Sequence, residues 1–425
     1  MVGAILKDDI MERYSRQVRL YLLEKSGRYD CPEAEKGVPG GLPDKYVMVI
    51  QAPPMGWNSW NTFGAHIDEA LIRETADAMV REGLDRLGYR YLIIDDCWAS
   101  KERNGRGELM ADGVKFPNGI KAVADYVHSK GLKFGLYSCC GAMTCAGYPG
   151  SYQHEFTDAA TFAAWGVDCL KYDFCYRDPN VPPEILYRRM GLALANCGRD
   201  ILFSACNWGR QNTAEWIRTT GADTWRSTAD IFDSWGSIKK LAQAQLSLLS
   251  AGGRGCFNDM DMLVVGMNGV GNEEYRQQGC SDAEYRTHFS LWSLLQSPLI
   301  LGCDVRHLTA ETKAIIGNRE LIALNRDPAA RQVFVRCRHP ETEAFIASRL
   351  LENGDLAVGF FNLGDAVSRA SESLLAEELG WTPEARKRIH ARDLWTGEEW
   401  DVENGVLVGG GLEPHTCRMM RLSLR

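Results

Sequence analysis

Two aspartates in this sequence stand where a carboxylate can do chemistry. Asp173 lies in the stretch Trp165–Tyr176 (WGVDCLKYDFCY), and Asp230 lies in WRSTADI, 225–231. The run Val167-Asp168-Cys169-Leu170 reads as a short strand buried on both faces, and Lys171, Tyr172 and Asp173 follow at its end. Because an unpaired charge in a core is costly, Lys171 and Asp173 must face a wet or reactive space. Two carboxylates brought from different strands to face each other across a pocket suit glycoside hydrolysis. One attacks the anomeric carbon and the other protonates the leaving oxygen. Lys171 sits two residues before Asp173, on the same side of a strand, and Arg226 sits four before Asp230. Neighbouring cations lower a carboxyl pKa and keep a nucleophile ionised. The acid needs the reverse, a pKa raised by burial or by the nucleophile's charge. Residue types alone leave open which aspartate plays which part.

Asp95-Asp96, followed by Trp98, would suit paired hydrogen bonds to sugar hydroxyls with an aromatic ring nearby. An alternative is an all-oxygen site for a metal such as Mg²⁺, built from Asp95, Asp96, Asp173, Asp259 and Asp261. No CxxC pair and no HExxH suggests zinc, and no cofactor is expected.

These residues need a scaffold. Between Pro53 and about Asp304 a short apolar run ending in polar or aromatic residues alternates with a helical pattern. The strand candidates are Met55–Trp60, Tyr91–Asp95, Lys133–Ser138, Asp168–Asp173, Ile201–Cys206, Asp223–Ser227, Gly255–Asp259 and Leu299–Cys303. Helices are expected at Asp68–Leu87, Gly119–Lys130, Asp158–Trp165, Glu184–Asn196, Ser237–Ser250 and Asp282–Leu295. This rhythm, over about 250 residues, is that of an α/β fold of the (β/α)8 TIM-barrel type. Chemistry in such barrels gathers at the C-terminal strand ends. Those ends here hold Trp57 and Trp60; Asp95, Asp96 and Trp98; Tyr137 and Ser138; Lys171 and Asp173; Asn207 and Trp208; Arg226 and Asp230; Asp259 and Asp261; and Asp304. From about Gln332 short alternating segments separated by Gly-containing turns predict a C-terminal antiparallel β-sandwich, with Trp395-Thr396-Gly397 as one turn. The expected divisions are 1–46 (a helix and linker), 47–328 (the barrel) and 329–425 (the β domain). The helix rests on Ile10, Tyr14, Val18 and Leu22 at helical spacing, and could cap the barrel or join a homo-oligomer.

The 425 residues carry a net charge of −8, which argues against nucleic acid or an anionic membrane as partner. No apolar run approaches the roughly 18 residues of a membrane span. An acidic cluster follows Met1–Leu6 directly, with no secretory signal pattern, so a cytoplasmic location is expected. The 14 cysteines are scattered, often inside apolar runs, and read as reduced buried thiols. The 12 tryptophans suit a site that stacks sugar rings, though a large core uses them too.

Seven segments resemble the α-galactosidase / α-N-acetylgalactosaminidase family, glycoside hydrolase family 27. They are MGWNSWNTFG (55–64), YLIIDDCW (91–98), GLKFGLYS (131–138), TCAGYPGSYQHE (144–155), WGVDCLKYDFC (165–175), WRSTADI (225–231) and NDMDMLVVG (258–266). The resemblance implies a retaining exo-glycosidase acting by double displacement on terminal α-linked galacto-configured sugars. Asp173 resembles its nucleophile and Asp230 its acid/base, which would lie about 5–5.5 Å apart. Asp95 and Asp96 would hold the 4- and 6-hydroxyls. Trp60, Tyr137 and Lys171 would line the pocket beside Trp208, with Arg226 near the 2-position and Asp261 and Met262 in the wall. Cys145 and Cys175 match a pair disulfide-bonded in secreted members, whereas Cys97 lacks its usual partner. Three segments depart from the family pattern. SACNWG (204–209) puts Asn207 where α-galactosidases carry Glu facing the 2-substituent; NDMD puts Met260 in place of Pro; SCCG puts Cys139 in place of Asp. The implied substrate is an α-galactoside. An α-N-acetylgalactosaminide or a β-L-arabinopyranoside is the alternative, and a non-catalytic sugar-binding barrel is a different class.

Overall fold

The computed structural model describes residues 50–272, 277–368, 373–375, 388–403 and 406–424. The expected N-terminal helix and linker lie outside the described residues.

Eight strands form one parallel sheet: β1 Met55–Asn58, β2 Tyr91–Ile93, β3 Lys133–Cys139, β4 Cys169–Asp173, β5 Leu202–Ala205, β6 Thr224–Arg226, β7 Phe257–Asp259 and β8 Leu299–Leu301. Their order is β7-β6-β5-β4-β3-β2-β1-β8. The sheet's two ends meet through Leu263, just past β7. Its amide donates to the Ile300 carbonyl at 2.7 Å, and its carbonyl accepts from the Gly302 amide at 2.9 Å. The TIM-like barrel expected from the alternation is therefore present. Side-chain alternation explains its layers. On β4, Lys171 and Asp173 point into the mouth, while Tyr172 packs edge-on against Tyr187 and Phe203 in the outer layer.

The same alternation corrects two expectations. Trp57 is fully buried and donates from Nε1 to the Cys303 carbonyl at 2.8 Å. Trp98 donates to the Tyr137 carbonyl at 2.9 Å and stands edge-on to Trp165. A backbone acceptor for each indole N–H lets both rings serve as core instead of mouth.

The helical layer includes Glu69–Arg81, Gly119–Ser129, Glu155–Trp165, Pro183–Ala195, Trp235–Gln245 and Asp282–Leu294. The single helix expected over 68–87 is broken. After Arg81 the chain turns through Gly83, at φ 73°, into a short helix, Leu84–Leu87. Besides the one-turn helices Trp60–Phe63 and Thr213–Trp216, the sequence reading lacked Ala310–Ile316 and Arg319–Asn325. The latter two span barely two turns each, too few for a periodic apolar signal, and are capped by the side chains of Thr309 and Asn318 respectively.

The C-terminal strands are β9 Phe334–His339, β10 Ala344–Leu350, β11 Leu356–Asn362, β12 Ser373–Leu375, β13 Ile389–Asp393, β14 Glu399–Asp401, β15 Val406–Val408 and β16 Cys417–Leu424. Six form an antiparallel sheet, order β14-β13-β16-β11-β10-β9, and β12 pairs with β15 separately. One face of the large sheet, with Phe345, Ala347, Ala357, Phe361 and Met419, joins the barrel's own core. The other face, with Ile346, Val358, Phe360, Met420 and Leu422, forms a second core that includes Leu407 of β15.

Candidate active site

At the C-terminal end of the barrel strands lies a cavity of about 300 Å³. It is lined by Trp60, Asn61, Asp95, Asp96, Tyr137, Cys145, Ala146, Lys171, Asp173, Trp208, Arg226, Asp230, Asp261 and Met262. Trp60, Asp95, Asp96, Tyr137, Lys171, Asp173, Trp208, Arg226, Asp230, Asp261 and Met262, all expected from the sequence to form the site, therefore converge here from strands far apart in the chain, whereas Asn207 does not.

The buried charges are paired. Asp95 Oδ2 accepts from Lys171 Nζ at 2.8 Å and from Asn58 Nδ2 at 2.7 Å. Asp96 accepts from the amides of Cys97 at 2.7 Å and Ala146 at 3.0 Å. Arg226 bridges two acids: Nη2 meets Asp230 Oδ1 at 2.8 Å, and Nη1 meets Asp261 Oδ1 at 2.9 Å. Burial opposes the charge on Lys171, but the Asp95 carboxylate prevails and holds its pKa well above the usual value. Arg226 is treated alike by burial and by Asp261.

Asp173 accepts from the Tyr137 hydroxyl at 3.0 Å and from the Phe174 amide at 2.8 Å. Burial pushes its carboxyl up to about 6; Lys171 opposes that rise and the charge of Asp230 adds to it. Burial likewise lifts Asp259 to about 6 against the pull of Arg226. Asp259 lies beneath the cavity floor and accepts the Asp261 amide at 2.9 Å. That bond steadies Asp261, a non-glycine residue at φ 79°.

The five-carboxylate metal site does not assemble. Asp95 and Asp261 are each tied to a cation, and Asp96 and Asp173 to backbone amides. Among the described residues the trio of potential ligands that converges is Cys145, Asp173 and Cys175. Cys145 and Cys175 are disulfide-bonded, with Cα atoms 5.2 Å apart, so neither thiolate is free to ligate. The bond corrects the reading of all cysteines as reduced and matches the pairing implied by the resemblance. Cys97 is free and buried.

Asn207 does not line the cavity, which corrects its expected place at the 2-position. It is 2% exposed, and its amide nitrogen is spent inside its own loop, on the Arg210 carbonyl at 2.9 Å and on the Thr213 hydroxyl. The next residue, Trp208, faces the cavity instead, because its backbone turns left-handed at φ 57°. The other departures are also structural. Met260 is buried and its amide donates to Ser297 Oγ at 2.9 Å, a bond that Pro could not make. The Cys139 thiol donates to the Cys175 carbonyl at 3.0 Å.

Sequence reasoning missed Asn58, Asn61 and Ala146. Asn61 lines the cavity, and neither atom of its amide group finds a protein partner among the described residues. The signal was present in MGWNSWNTFG, whose two asparagines stand three residues apart at a strand end.

A family model described as alpha galactosidase A matches residues 52–327, and one for the alpha galactosidase C-terminal beta sandwich domain matches 342–422. An α-galactosidase of Coffea arabica is 45% identical over 372 residues, covering 87% of this chain and 93% of the relative. The chain belongs to the α-galactosidase (melibiase) family, glycoside hydrolase family 27. Another member, from Cyamopsis tetragonoloba, is 41% identical over 405 residues, 95% of this chain and 93% of its own. The solved α-galactosidase I of Mortierella vinacea matches this family-27 chain with a TM-score of 0.81 at 33% identity, over 89% of this chain and 98% of that one. A β-L-arabinopyranosidase of Geobacillus stearothermophilus, at 23% identity, shares the fold.

Proposed function

We propose that this chain is a retaining α-galactosidase that removes single terminal α-D-galactosyl residues, with Asp173 as nucleophile and Asp230 as acid/base. The observation that carries the assignment is the unequal placement of the two carboxylates. Asp173 is 6% exposed at the cavity floor, whereas the Asp230 side chain is 39% exposed toward the entrance. A nucleophile must reach the anomeric carbon of an enclosed sugar, and an acid must reach the leaving oxygen as it departs toward solvent. In the first step the Asp173 carboxylate bonds to C1 while the C1–O bond breaks, and the Asp230 proton goes to the leaving oxygen. In the second, Asp230 takes a proton from water, whose oxygen bonds to C1 and releases Asp173. Two inversions give retention.

A cavity of about 300 Å³ is at the small end of ligand sites and suits one pyranose ring, which favours exo action. Curated relatives at 41–47% identity bear the name α-galactosidase, and a Saccharomyces cerevisiae α-galactosidase is solved with raffinose. These names support galactose over N-acetylgalactosamine. The test is hydrolysis of paired aryl α-D-galactoside and α-N-acetylgalactosaminide. We expect the galactoside to win by tenfold or more in kcat/KM, about 1.4 kcal/mol of transition-state discrimination. Preference for the acetamido sugar would overturn the substrate reading. Asp173→Ala should lose about 10⁴-fold or more in kcat with its thermal unfolding preserved; near-normal turnover would remove Asp173 from the mechanism.

A further inference from the structure

On one side of the cavity two guanidinium groups flank a pair of aromatic rings. Arg177 lies over the Phe174 ring at 4.7 Å. Phe174 meets Trp208 edge-on at 6.2 Å, and Arg210 lies over Trp208 at 4.9 Å. Phe174 directly follows Asp173, and Trp208 lines the cavity. Arg210 is exposed and Arg177 half-buried.

The loop that presents Arg210 is held in place. The Gly209 amide donates to the Arg226 carbonyl at 2.9 Å, which ties it to the segment leading to Asp230. Trp208, Gln211 and Asn212 take left-handed backbone conformations at φ 57°, 62° and 53°, and Asn207 braces the turn from inside. Asn visits that conformation readily, but Trp and Gln adopt it only at a cost that the surroundings must offset. This side of the mouth therefore adjoins the acid/base, where the leaving group departs.

The two guanidinium groups are not there to neutralise the cavity's own acids. Asp95 has Lys171, and Asp230 and Asp261 share Arg226. Neither Arg177 nor Arg210 is in a close ion pair among the described residues; an Arg177 nitrogen donates to the Asp178 carbonyl at 3.2 Å, and its charge helps to stabilise the Asp178 carboxylate, so Arg210 is the cation with no acidic neighbour assigned. The nearby Asp178 carboxylate accepts from the Tyr152 hydroxyl and the Asn180 amide. In a chain of net charge −8, a positive rim on the leaving-group side calls for a ligand of opposite sign.

We propose that this rim is the leaving-group subsite, and that Arg210, supported by Arg177, selects α-galactosides whose leaving group carries an anionic substituent. The reading rests on the α-galactosidase assignment above. A guanidinium stacked on Trp208 has its N–H edge free to meet a carboxylate or phosphate with two parallel donors. The site residues thus divide the work: the cavity recognises the galactosyl ring, and the rim recognises what is attached to it.

The test compares 4-carboxyphenyl and 4-carbamoylphenyl α-D-galactosides, which match in size and differ in charge. The carbamoyl phenol is the intrinsically better leaving group, so a preference for the carboxylate reports recognition. Wild type should favour the carboxylate in kcat/KM by about fivefold at low ionic strength. The preference should vanish in about 0.5 M salt, since a rim charge is screened. Arg210→Gln should bring the ratio to about one, and Arg210→Lys should retain part of it. A wild-type ratio at or below one, or a preference that survives Arg210→Gln with Arg177→Gln, overturns the subsite. Equal hydrolysis of both substrates would sink this inference and leave the α-galactosidase reading standing, whereas hydrolysis of neither would sink both.

Discussion

On the proposed assignment Asp173 is a nucleophile buried beside a second acid, and that placement carries a measurable penalty. Burial lifts Asp173 to about 6 in the free enzyme, and Lys171 is the chief group holding it down. The group must be ionised to attack, so kcat/KM should fall as pH drops through about 6. Lys171→Met should move that acid limb to higher pH, because removing the cation raises the carboxyl pKa further. A pH profile of kcat/KM for wild type and variant checks both statements. A limb near the ordinary aspartate value, or one that does not move, would contradict the electrostatic account. Asp173 stands out in the sequence because it ends a short apolar run, where a charge has no place in a core, whereas Asp230 follows the polar stretch Arg226-Ser227-Thr228 and stands out only through the resemblance of WRSTADI. Asn207 was misread for a related reason. A polar residue at a strand end faces either the cavity or its own loop, and only the left-handed turn at Trp208 settles which.

At the scale of elements, the loop after β5 depends on one glycine. Gly209 sits at φ 68°, and a Cβ there would lie 2.3 Å from the Ser227 carbonyl oxygen, which is backbone and cannot step aside. Gly354, in the turn between β10 and β11, has a similar φ of 87° but open space around it. Gly209→Ala should therefore displace Trp208 and the Arg226 segment, lowering kcat/KM at least about tenfold as misplacement near a reacting centre does. Gly354→Ala should cost about 1 kcal/mol of stability and leave kcat/KM unchanged. Steady-state kinetics beside thermal melts separates the two, and equal effects on activity would refute the positional argument. Strands and long helices were readable from apolar periodicity. The break at Gly83 and the helices at Ala310–Ile316 and Arg319–Asn325 were not, since segments this short bury too few residues to set a period.

For the whole molecule, the C-terminal sheet is part of the barrel's support. Its inner face shares one core with the barrel, and polar links reinforce the seam. Trp395 Nε1 donates to Ser290 Oγ at 3.0 Å, Asn318 Nδ2 to the Leu394 carbonyl at 2.9 Å, and Arg392 pairs with Glu320 at 3.0 Å. Arg349 is wholly buried there and donates to the Leu324 carbonyl. Removing residues 329–425 would expose that shared core, so the truncated chain should be insoluble or unfolded. The full chain should melt in a single calorimetric transition. A soluble, active truncation would show that the barrel stands without the sheet.

The order of strands and helices and the sheet at the end of the chain follow from local pattern. Each depends on how a few adjacent residues divide between water and core, and that division is written in their types. The closure through Leu263, the inward turn of Trp57 and Trp98, the sharing of Arg226 by Asp230 and Asp261 and the ladder from Arg177 to Arg210 do not follow from it. Each of these features includes a contact between residues tens to hundreds of positions apart, and those partners are chosen by packing. A side chain with two chemically acceptable neighbours takes the one that the assembled barrel brings within reach.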